Sequence, residues 1–170
     1  MAGHKYLKHS GGRIVEEAAS QASSGAADAG KIVALDATGK VDMSMLPTGI
    51  GAETKLLPAA ETLAAGDLVN IFDDAGALKV RKADATTQGK EAHGFVLAAA
   101  SMGNNATVYA SGIVTGLTGL SGGPRMYLST TAGQATATAP SGAGNVVQAV
   151  GTRLSATELA FLPELPVTLS

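Results

Sequence analysis

The side chains able to do acid–base or metal chemistry are few in this chain and lie far apart. Histidine occurs at positions 4, 9 and 93 only. A helical metal site wants imidazoles four residues apart, whereas His4 and His9 are five apart near the chain start and read as solvated side chains. His93 stands between Ala92 and Gly94 at the start of an expected strand. It becomes a general base only where an acid and a nucleophile converge on it. Asp73 and Asp74 are neighbours, so in a strand or turn their side chains diverge, and such aspartates cap backbone amides. Their surroundings lack the alternating oxygen ligands of a calcium loop. Gly49-Ile-Gly51 and Gly142-Ala-Gly144 match neither dinucleotide nor phosphate-loop patterns and read as turns. Asn105-Ala-Thr107 has the form of a glycan acceptor, a chance match in a chain whose start lacks an apolar leader. The expectation is a protein that is not an enzyme, with no catalytic, cofactor-binding or metal residues and no cofactor.

Composition narrows the partners. The chain has 170 residues, 12 Lys and Arg against 14 Asp and Glu, a net charge of -2, and no cysteine. A near-neutral surface argues against nucleic acid, because binding phosphates takes concentrated positive charge. Absence of cysteine removes disulfide frameworks and thiolate metal sites. The longest strongly apolar run, Phe95 to Ala100, is far short of the roughly 20 residues of a membrane helix, so no membrane contact is expected and the protein is expected to be soluble and made in a cytoplasm. Aromatics are 4% and glycines number 22. Small side chains bury little area each at roughly 25 cal/mol per Å², which favours further burial between copies.

The elements follow from local pattern. Residues 1–12, with His4, Lys5, Lys8 and His9, read as a flexible cationic arm. Ile14, Val15, Ala18, Ala19 and Ala22 fit one face of a short helix over 13–22. Ser20 to Gly30 has linker composition, and Ile32 to Leu35 a strand's. Asp36-Ala-Thr-Gly39 reads as a tight turn with Gly39 at positive φ. Met43, Met45 and Leu46 are apolar side chains without a clear home, suited to docking, and Thr48 to Ala52 is a loop before the main body. From Glu53 onward short strands alternate with turns: 55–57, 67–72, 78–82, 94–98, 106–111, 113–115, 125–129, 134–138, 146–155 and 158–162. Asp73-Asp-Ala-Gly76 joins two of them, with Gly76 in the left-handed position of a type I turn and G1 bulge. The runs 107–115 and 125–129, separated by Gly-Gly-Pro, look like a hairpin or a small-barrel element. The tail from Leu162, with Pro163 and Pro166, runs extended and cannot join a ladder centrally. The fold class is all-β, a compact small β-barrel or sandwich body over 51–170 with an extended N-terminal arm over 1–50.

From Gly30 to Gly51 (GKIVALDATGKVDMSMLPTGIG) the sequence resembles capsid decoration (cement) and head-fibre-like proteins of tailed bacteriophages. The similarity continues through Ala65-Gly-Asp-Leu-Val69, Val80-Arg-Lys-Ala-Asp84, His93-Gly-Phe-Val96, Thr115-Gly-Leu-Thr-Gly119, Tyr127-Leu-Ser-Thr-Thr131 and Gly144-Asn-Val-Val-Gln-Ala-Val-Gly151. The resemblance implies a homotrimeric structural virion protein on the outer capsid surface, with the N-terminal extension bound to the major capsid protein and bridging neighbouring copies. The expected capsid contacts are Tyr6, Leu7, Ile14, Val15, Met43, Met45 and Leu46. The alternative is a head-fibre or tail-fibre module for host-surface or glycan attachment, which exposed loop aromatics would favour.

Overall fold

The computed structural model describes residues 4–46 and 52–170. The expected loop at Thr48 to Ala52 therefore lies, apart from Ala52, outside the described residues. The chain divides into two units, Met1–Gly51 and Ala52–Ser170.

In the first unit the cationic stretch and the expected helix form one hairpin instead. Strand β1 (Lys5–Ser10) pairs antiparallel with β2 (Arg13–Ala18). Gly11 and Gly12 close it at φ 58° and 77°, a two-residue turn whose positive dihedrals match the twist of the flanking strands. Ile14 and Val15 are β-branched and favour the extended chain over the helix. The linker tightens into a 3₁₀ turn at Gly25–Asp28. Ile32 to Leu35 makes no full strand, only a parallel bridge between Ser20 and Val33. The Asp36 turn forms, with Gly39 at φ 77° and its N–H donating to the Asp36 carbonyl. A second 3₁₀ turn, Met43–Met45, is capped by the Asp42 carboxylate, which accepts from Ser44 N at 2.9 Å.

The second unit is all-β and sandwich-like. Its strands are β3 (Thr54–Pro58), β4 (Leu68–Asp74), β5 (Ala77–Lys82), β6 (Gly94–Val96), β7 (Asn105–Tyr109), β8 (Gly112–Val114), β9 (Arg125–Leu128), β10 (Ala135–Thr136), β11 (Val146–Val147), β12 (Ala149–Arg153), β13 (Leu159–Phe161) and β14 (Val167–Thr168). One sheet has the order β3-β7-β6-β4-β5, a second β10-β9-β12-β13-β8, and β11 pairs with β14. Every ladder is antiparallel. The expected hairpin between 107–115 and 125–129 does not form. The chain leaves the first sheet after β7 and enters the second at β8, where β8 pairs with β13 and β9 with β10 and β12. The proline tail forms the two-residue strand β14 at a sheet edge, as proline requires.

Alternation explains two apolar clusters around the first sheet. Leu68 on β4 and Phe95 on β6 face the second sheet, meeting Met126, Leu128, Val150, Leu159 and Phe161. Val69 and Val96, one residue on, face the opposite way with Leu57, Leu63, Val80 and Val108. Both faces of β4 and β6 are thus buried, which is why they read as continuous apolar runs. Ala59 at the end of β3 bridges Val80 on β5, so the first sheet curls around the second cluster. Phe95 locks the sheets together: its ring stacks on Tyr109 at 5.3 Å and meets Phe161 of the second sheet edge-on at 5.5 Å. Such pairs add roughly 0.5–1.5 kcal/mol beyond area burial.

Candidate functional site

The candidate polar groups His93, Asp73 and Asp74 of the second unit are occupied by partners within it. His93 Nδ1 accepts the Ile71 N–H at 3.1 Å, beside the Asn70 amide at 3.4 Å. Asp73 Oδ1 accepts from Gly76 N at 2.8 Å, and Asp74 pairs with Lys79 at 2.6 Å, so the two aspartates diverge. Arg81 lies over the Phe72 ring at 4.2 Å and donates to Asn70 Oδ1 and the Gly89 carbonyl. Gly119-Leu-Ser-Gly-Gly123 formally matches a serine-nucleophile elbow. It sits on the loop between β8 and β9 with Ser121 exposed, whereas the elbow needs a strand-to-helix turn. The cleft lined by Glu91, His93, Gln148 and Pro163–Pro166 encloses about 410 Å³. Its buried Gln148 is occupied in holding Ala92 through both amide groups.

The first unit is different in kind. Among its described residues none is buried, yet Leu7, Ile14, Val15, Ile32, Val33, Leu35, Val41, Met43 and Leu46 are exposed apolar side chains. The hairpin ladder decides which of them act together. Tyr6 opposes Glu17 and Leu7 opposes Glu16; Lys8 opposes Val15 and His9 opposes Ile14. Opposed residues share a face and neighbours in sequence do not. Leu7 and Ile14 therefore lie diagonally on one face, 73% and 72% exposed, flanked by Lys5, His9, Glu16 and Ala18. Tyr6 and Val15 lie on the other face with Lys8 and Glu17, where Tyr6 is half-buried. Of the seven expected capsid contacts, Tyr6, Leu7, Ile14 and Val15 are thus divided between the two faces of the hairpin.

Charge frames both faces. Lys5 pairs with Glu16 across the first. On the second, Lys8 and Glu17 lie 2.6 Å apart; hydrogen bonding to Lys8 holds the Glu17 carboxyl below its usual range and raises Lys8 in return. Met43, Met45 and Leu46 sit on the capped 3₁₀ turn, which Ser44 ties back to Ser23 N at 2.8 Å. Met43 and Leu46 are exposed and Met45 is half-buried. Ile32, Val33, Leu35 and Val41 are further exposed apolar residues that the sequence does not mark as surface, because an apolar run such as 32–35 ordinarily marks a buried strand.

Among the described residues no helix is long and apolar enough to cross a membrane. No protein-family model, curated protein or solved structure matches this chain.

Proposed function

We propose that the chain is a structural virion protein that decorates and stabilises a bacteriophage capsid, its N-terminal unit bound to the major capsid protein on the outer surface. One observation carries the reading: a described segment of more than forty residues buries no side chain of its own and presents nine large apolar ones. Exposed apolar surface on this scale marks an interaction site. An isolated two-stranded hairpin is at best marginally stable in water, so a partner that covers Leu7 and Ile14 also stabilises the element that displays them. The second unit has its own apolar core and supplies the body. In a homotrimer, three N-terminal units attached to one assembly turn modest single contacts into tight attachment.

All six aromatic side chains of the chain are buried or half-buried. Glycan-binding surfaces stack sugars on open rings, so this observation favours capsid docking over the fibre alternative. The test is binding of purified protein to phage heads that lack it. Burial of Leu7 and Ile14 is worth roughly 1.5–3 kcal/mol each, so Leu7→Asp with Ile14→Asp lowers head affinity by about 100-fold or more. Undiminished binding of this variant sinks the proposal.

A further inference from the structure

We propose that the N-terminal hairpin pairs edge to edge, through β2, with the hairpin of a second copy of this chain that belongs to a neighbouring trimer, making a four-stranded antiparallel sheet. Backbone direction carries the first step. Ser10 and Arg13 close the two-residue turn, so Arg13, Val15 and Glu17 turn their N–H and C=O groups toward β1. Ile14, Glu16 and Ala18 turn theirs outward. Ser20 follows the same alternation: its N–H donates to the Ile32 carbonyl at 2.9 Å and its carbonyl accepts from Ala34 N at 2.8 Å. The outer edge of β2 is therefore occupied from Ser20 onward, while among the described residues no backbone or side-chain group bonds the outward groups of Ile14 and Glu16. An open edge of this kind is a template for another strand.

Charge selects a second copy as that strand. With a two-fold axis at Val15, Ile14 opposes the partner's Glu16, and both residues offer their outward groups, as a hydrogen-bonded pair requires. The same register sets Arg13 against the partner's Glu17, twice by symmetry, and Val15 against the partner's Val15. Arg13 makes no ion pair among the described residues, so the contact gives it one. The outer edge of β1 fails the same test. Its stretch holds His4, Lys5, Lys8 and His9 and no acid, and like charges placed opposite each other are destabilising. Pairing through β2 also brings Leu7 and Ile14 of both copies onto one face, doubling the apolar patch.

The chain has no cysteine, so a single introduced thiol reports the geometry in the full-length protein. Val15 of two copies would form a non-hydrogen-bonded pair with Cα atoms about 4.5 Å apart, within reach of a disulfide. Leu7 of two copies would lie three strand spacings apart, roughly 14 Å, out of reach. Under diamide, Val15→Cys is expected to cross-link at least tenfold faster than Leu7→Cys. Arg13→Glu and Glu17→Arg, each alone, set like charges opposite each other and weaken association at least tenfold, while their equimolar mixture restores it. Equal cross-linking at positions 7 and 15, or a mixture no better than its components, overturns the proposal. Cross-linking of Val15→Cys to capsid protein on heads but not between free copies overturns it in favour of a foreign strand.

Discussion

Gly151 on β12 lies so close to Ala160 on β13 that a Cβ added to the glycine would stand 1.9 Å from the Ala160 carbonyl oxygen. Its φ of 141° adds a second constraint, since this region is open essentially to glycine alone. The position coincides with the register shift between Ala149 and Gly151 where β12 pairs with β9, a bulge that fits the strand between its two neighbours. Gly151→Ala is therefore expected to cost about 3 kcal/mol or more, combining backbone strain with a clash that neither strand relieves alone. Urea unfolding followed by circular dichroism checks this; a midpoint equal to that of the parent protein contradicts it.

At the tip of the β4–β5 hairpin the turn differs from the expected type I turn with a G1 bulge. Asp74 pairs directly with Ala77, leaving a two-residue loop in which Ala75 has φ 55° and Gly76 φ 88°. Two positive dihedrals define the primed turn, which prefers Asn-Gly, and an alanine there meets the left-handed penalty of roughly 1–2 kcal/mol. Ala75→Asn is expected to raise stability by about 1 kcal/mol, read as a higher urea midpoint with an unchanged slope.

These two sites show what pattern alone conveys. The strands expected in the body form, except that 146–155 divides into β11 and β12 of different sheets; runs such as Leu68–Asp74 and Arg125–Leu128 carry β-forming side chains bounded by turn residues. Their partners are not legible. The run 107–115 looks like one arm of a hairpin with 125–129, yet it breaks at Ala110 and Ser111 and serves two sheets, because sheet order is set by long-range packing of residues such as Phe95 and Phe161. At the N-terminus, Ile14, Val15, Ala18, Ala19 and Ala22 fit helical spacing over too short a span to exclude a strand. The informative signal there is Gly11-Gly12 between two six-residue runs. For the candidate surface, residue types such as Leu7 and Ile14 are legible, but their faces are not until the register with β1 is known.

Acid should act on the loop after β5. Burial pushes the Asp84 carboxyl up, but the Thr86 hydroxyl, the Thr86 N–H and the Lys90 ammonium outweigh it and hold Asp84 below its ordinary value. A carboxyl depressed in the folded state contributes stability that is complete above the unfolded value of 3.8 and is lost as pH falls through the folded value. Asp84→Asn is thus expected to be less stable than the parent protein at pH 6, with the gap closing below about pH 4. Urea midpoints at pH 6 and pH 3 test this, and a gap that stays constant between them refutes it.

Phe95 and the Leu7–Ile14 pair give opposite expectations for the same kind of truncation. Phe95 is 1% exposed and joins the two sheets through Tyr109 and Phe161, so Phe95→Ala leaves a cavity in a cluster that also holds small side chains such as Ala83, Ala85 and Ala92, which cannot fill it. The expected cost is roughly 3–5 kcal/mol, a large part of the stability of a body this size. Leu7→Ser with Ile14→Ser removes apolar surface already in water, and the expected change in the unfolding midpoint of the body lies within about 0.5 kcal/mol. Thermal unfolding of both variants separates the cases. A Leu7→Ser and Ile14→Ser protein that melts as early as Phe95→Ala means that the hairpin face is covered within the chain in solution, and the docking reading then fails with it.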